Sequence, residues 1–175
     1  MLDKKVLINI FQKLLKEAKN LHDEFNAADG RIGDGDLGIT IQSGLEEINN
    51  KINKFNDDMG ANFMICSQAF VKKSGSSFGT LIAFSFMNIS KNMKGKTECN
   101  HEDIVGIFET TLKTIQERGK TKLGDKTIAD SLDLIIKKLK DNKNYSEVFK
   151  SATKQALEDF KGKKIKIVQY KKIKV

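Results

Sequence analysis

Proline and tryptophan are absent from these 175 residues, which hold only two tyrosines, two cysteines and two histidines. Average usage would supply about nine prolines, so their absence fits a chain of uninterrupted helices. Cys66 and Cys99 have no metal-ligand spacing; a core residue and a loop thiol are expected rather than a disulfide. His22 and His101 stand in no nucleophilic or metal-binding setting. No run reaches the eighteen or more apolar residues of a membrane span. Met1-Leu2-Asp3-Lys4-Lys5 leads into an amphipathic pattern rather than the apolar core of a signal peptide. A cytoplasmic protein without membrane contact is expected.

One-sided charge is missing too, once position is considered. The formal net charge is +8, but seven lysines and no acid fall in residues 161–175, which leaves the rest nearly neutral. Aromatic residues make up 7% of the chain and no recognition motif accompanies the lysines, so a solvated tail is favoured over a nucleic-acid surface. At 39% hydrophobic and 31% charged, the composition suits one globular domain. We expect a helical domain over 1–162 and a basic tail over 163–175. In that tail Ile165, Ile167 and Ile173 alternate with Lys and Gln in a weakly strand-like way.

What the chain does have is helical periodicity. Val6, Ile10, Leu14, Ala18, Leu21 and Phe25 recur at steps of four and three, predicting a first helix from Asp3 to about Asn26. Further helices are predicted over about 37–54, 58–72, 77–92 and 102–118, then from about Ile128, and over 146–161. Seven amphipathic helices with short connections make an all-α, antiparallel up-and-down bundle.

The distinctive stretch is Asp29-Gly30-Arg31-Ile32-Gly33-Asp34-Gly35-Asp36-Leu37-Gly38. Three ionised carboxylates this close repel one another unless a cation joins them. Magnesium takes one or two carboxylates and fills its shell with water and phosphate oxygens, and the glycines give the backbone freedom to bring the acids together. Ordinary turn chemistry, with Asp36 capping the next helix, is the plain alternative. A calcium EF-hand does not fit. Counting from Asp34 puts Leu45 at the bidentate position, and counting from Asp29 puts Arg31 at the second ligand position.

Two more loops end at helix N-termini, Lys73 to Ser76 and Gly119 to Thr127. Such termini favour anions, although Ser74-Gly75 and Asp125 also suit capping. Gly119 to Thr127 is not a Walker A loop, because Asp125 precedes Lys126-Thr127 and no strand leads into it. In a bundle of alternating helices all three loops fall at one end, as expected of a single site.

Together the loops resemble the L subunit of dihydroxyacetone kinase, the Dak2 family, over residues 1–162. The resemblance rests on Asp29, Asp34, Asp36 and Gly38 as Asp-x4-Asp-x-Asp-x-Gly, on the Ser-Gly-x-x-Phe-Gly run from Ser74 to Gly79, and on Gly124 to Thr127 as Gly-Asp-Lys-Thr. It implies a barrel of eight helices holding ADP/ATP and two magnesium ions. Asp29, Asp34 and Asp36 would be the catalytic metal ligands. Leu37, Gly38, Ile39, Thr40, Lys73, Ser74, Gly75, Gly119 and Ile128 would be nucleotide neighbours. It implies partners as well: a phosphohistidine-bearing M subunit that recharges the nucleotide, and a K subunit that holds dihydroxyacetone. Leu37 and Thr40 replace the family's usual His and Asn, and Val71-Lys72-Lys73 replaces a glycine pair and a small residue. After Gly162 the Arg-Ala-Ser and Asp-Pro-Gly runs are missing. A divergent relative that binds nucleotide or a partner in a regulatory role is the alternative.

Overall fold

The computed structural model describes residues 1–73, 75–159 and 161. Among these residues it is all-α, with eight helices and one two-residue pairing of strands. The helices are α1 (Lys4–Asn20), α2 (His22–Asp29), α3 (Leu37–Asn50), α4 (Met59–Lys73), α5 (Ser77–Asn92), α6 (His101–Gly119), α7 (Ile128–Asp141) and α8 (Tyr145–Asp159). Strands β1 (Leu2–Asp3) and β2 (Glu98–Cys99) pair antiparallel, Leu2 opposite Cys99. The alternating segment after Lys164 lies outside the described residues. No described helix is long and apolar enough to cross a membrane.

The expected first helix is two helices. The chain breaks at Leu21, where φ is −101° and ψ is 6°, and α2 carries on to Asp29. Periodicity does not reveal this break, since the apolar spacing runs through it unchanged. The buried face of α1 is also one residue round from the expected one. Leu7, Phe11 and Ala18 are buried, while Val6, Ile10 and Leu14 are exposed. Both stripes obey the helical period, and packing chooses the one that carries Phe11.

The described residues divide into two compact units, the first over Met1–Cys99 and the second beginning at Asn100. In the first, Phe86 of α5 gathers Phe11, Phe63 and Phe70 at ring-centroid distances of 5.9–6.2 Å, and Phe55 lies edge-on to Phe11. Met59, Phe63, Cys66 and Phe70 are buried on one face of α4, as their spacing predicts. Cys66 and Cys99 are both buried and free, and burial pushes the Cys66 thiol up. Buried Asn62 anchors the turn before α4. Its amide accepts from the backbone N–H of Asn56 and donates to the carbonyl of the same residue.

Asp58 accepts from the N–H groups of Gly60, Ala61 and Gly95, which ties the start of α4 to the turn after α5. The Ala61 and Gly95 bonds lead in holding its carboxyl below the usual carboxylate value. A lowered folded-state value means that this stabilisation is complete above the unfolded value and is lost as pH falls through the folded one. Asp58→Asn should therefore melt below wild type at neutral pH, with the gap closing below about pH 4. Melting temperatures between pH 3 and 7 test this.

In the second unit Val105, Ile136, Leu139 and Val148 form the core, with Phe108, Leu112, Ile135 and Tyr145 packed against it. His101 is structural. Its Nε2–H donates to the Leu139 carbonyl, so Nδ1 is left to accept from the Tyr145 hydroxyl, each at 2.9 Å.

Candidate metal and nucleotide site

The acidic loop is a built structure. Ligand atoms of Asp29, Asp34 and Asp36 lie within 4.8 Å of one another. Asp29, the last residue of α2, organises the loop. Its Oδ2 accepts from the N–H groups of Gly35 and Asp36 at 2.8 and 3.1 Å, so the chain wraps round one carboxylate. Gly35 makes the reversal at φ 76°, a left-handed conformation open to glycine at little cost. Asp34 is the exposed member, and among the described residues it holds none of the loop's N–H groups. Burial raises the Asp36 carboxyl above its usual value, and the charges of Asp34 and Asp29 add to that rise. Three carboxylate oxygens this close together could hold a hard cation.

Asp36 does not cap α3. Its φ and ψ of −104° and 3° are not the extended conformation of a capping residue, and it makes no side-chain cap bond. Oδ1 of Asn26 in α2 accepts from Gly38 and Ile39 in its place. Nothing in the sequence pattern points to Asn26. It lies outside the acidic motif, and only the folding of α2 against α3 gives it a role.

The loop between α4 and α5 joins this site through Thr40. Buried Thr40 donates to the Ser76 hydroxyl at 2.8 Å, and Ser76 caps α5 by accepting from the Gly79 N–H. Two of the three expected loops are thus brought together in the first unit. Leu37 is half-buried, Gly38 is buried and Ile39 is exposed at the head of α3. Lys73 ends α4 and is exposed, as is Gly75, whereas Ser74 lies outside the described residues. The Ser76 hydroxyl is committed to structure.

The third loop belongs to the second unit. Gly119 ends α6, and Ile128, exposed, opens α7. Asp125 accepts from the Lys122 N–H and does not cap α7. Thr127 and Asp130 form the capping box, and buried Asp130 also accepts from the Gly124 N–H. Lys120 and Lys126 take left-handed angles of φ 51° and 61°, which cost energy for residues with a side chain.

The sequence profile described as the DAK2 domain matches residues 31–166. The chain belongs to the DAK2 domain family. It is 31% identical over 112 residues to the ADP-binding subunit DhaL of PEP-dependent dihydroxyacetone kinase 2 of Listeria innocua, covering 62% of this chain and 52% of that protein. To the corresponding subunit of dihydroxyacetone kinase 1 from the same organism it is 30% identical over 158 residues, covering 90% and 77%. The crystal structure of dihydroxyacetone kinase from C. freundii in complex with AMP-PNP and Mg2+ matches with a TM-score of 0.78 at 19% identity, over 94% of this chain and 30% of that one. This last likeness shows a shared fold. The chain thus spans about half the length of one Listeria subunit and under a third of the C. freundii kinase.

Proposed function

We propose that this protein is the ADP/ATP- and magnesium-binding phosphotransferase subunit of a dihydroxyacetone kinase. It would carry phosphate between a phosphohistidine-bearing M subunit and dihydroxyacetone held by a separate K subunit. The observation that carries the reading is the convergence of Asp29, Asp34 and Asp36 on one point in a loop that Asp29 itself holds in shape. The similarity to ADP-binding subunits supports it.

The three carboxylates would hold magnesium, two ions on the family resemblance. Bound there, magnesium supplies neutralisation of phosphate charge and alignment for in-line transfer. The chain's own contribution is position. Asp29 fixes the loop, and the N-terminal end of the α3 dipole favours phosphate nearby, although its Gly38 and Ile39 N–H groups are held by Asn26. Exposed Ile39 and Lys73 offer an apolar contact and a cation, with Leu37, Gly38, Thr40, Ser74 and Gly75 as further nucleotide neighbours. On the family resemblance alone, Gly119 and Ile128 would also be nucleotide neighbours. A regulatory relative is the second reading. It is favoured by Leu37 and Thr40 in place of the family's His and Asn, since the Thr40 hydroxyl is already spent on Ser76.

The test is to denature the protein as purified in magnesium and to count the nucleotide released, with Asp34→Ala as control. Asp34 can be removed without disturbing the hydrogen bonds of the loop. About one ADP per chain in wild type, lost in the variant, is expected. A wild-type protein that is empty and takes up no ADP with magnesium would overturn the reading.

A further inference from the structure

We infer that Asn26 is a positioning residue for the metal site: it caps α3 from the neighbouring helix and so leaves the Asp36 carboxylate for the cation. The inference rests on the magnesium reading above. A residue at the N-cap ordinarily turns its own side-chain oxygen onto the N–H groups of the second and third helical residues. In α3 these belong to Gly38 and Ile39, and the N-cap is Asp36. Aspartate is among the best residues for that task. An Asp36 turned onto its own helix would be turned away from Asp29 and Asp34.

Asn26 removes the competition. Its Oδ1 accepts from both N–H groups, Gly38 at 2.7 Å and Ile39 at 3.3 Å. The orientation of the amide follows from chemistry. Two donors face one end, so that end is the oxygen, and the NH2 end lies 3.4 Å from His22 Nε2. With Nε2 toward that NH2 group, His22 Nδ1 meets the Asp23 carboxylate at 2.9 Å. Gly38 makes the approach possible. A Cβ there would lie 2.2 Å from the His22 carbonyl oxygen and 2.8 Å from Asn26 Oδ1. Asp36 makes no cap bond and instead stands with Asp29 and Asp34.

Calorimetric titration of wild type, Asn26→Ala, Asn26→Asp and Asn100→Ala with magnesium and ADP tests this, with circular dichroism to show that each is folded. Asn26→Ala should bind about five- to tenfold more weakly, the worth of a cap that Asp36 must now fill. Asn26→Asp keeps the acceptor and should recover most of the affinity. Asn100→Ala removes a comparable cap from α6 in the second unit and should bind like wild type. A second readout needs no ligand. In metal-free protein Asp36→Ala should leave the melting temperature unchanged or raise it, and in the Asn26→Ala background it should lower it. Wild-type affinity in Asn26→Ala, or equal melting losses in both backgrounds, would overturn the inference while the magnesium reading stands. No binding by wild type would overturn both.

Discussion

On the proposed function, Gly38→Ala is expected to weaken magnesium and ADP binding about a hundredfold, although position 38 offers the ligands no side chain. The added methyl would meet the backbone carbonyl of His22 at 2.2 Å, with the Asn26 amide oxygen at 2.8 Å. A flexible side chain could turn aside, but this carbonyl is held within α2. The helix must move away from the head of α3. Overpacking of this kind costs about 3 kcal/mol; the free protein relieves it by moving α2, and binding that requires the original loop must restore the clash, which is roughly a hundredfold in affinity. Moving α2 also moves Asp29, and with it the loop wrapped round its carboxylate. Binding should therefore fall by more than the loss of melting temperature suggests. Titration of the folded variant checks the first quantity and circular dichroism the second. A variant that binds within a factor of three of wild type would show that α2 is free to shift without taking the site with it.

Gly60→Ala is expected to produce a large loss of stability in the first unit. A Cβ at Gly60 would lie 2.6 Å from both Lys94 Cα and the Ser90 carbonyl oxygen, so backbone would meet backbone where α4 begins against the end of α5. The Gly60 N–H also donates to the Met93 carbonyl across this contact. Neither side can yield by rotating a side chain, so a cost of about 3 kcal/mol or more is expected. For a chain of this size that is roughly 10 °C in melting temperature. Gly106→Ala in α6 is the contrast. Nothing lies within 4 Å of a Cβ there, and alanine at a helix interior gains roughly 0.5–1 kcal/mol over glycine. Thermal melts of the two variants beside wild type separate these outcomes by their sign.

The sequence by itself determined the all-α class, the extents of most helices and the membership of the acidic cluster. Each of these is a local property. Period 3.6 is written in residues three and four apart, as in Met59, Phe63, Cys66 and Phe70 on α4, and three acids within eight residues are close in any fold. Tertiary structure alone decided which of two equally periodic stripes of α1 is buried, and it set the break at Leu21. It also decided the division of labour among the polar groups of the site. Asp29 and Asp36 read alike in sequence, yet one holds the loop while the other is left to face its neighbours. Asn26 and Ser76 owe their tasks to contacts 12 and 36 residues away along the chain. A cap can come from any acceptor that packing delivers to a helix end, and hydrogen bonds are assigned by proximity in space, which local spacing does not encode.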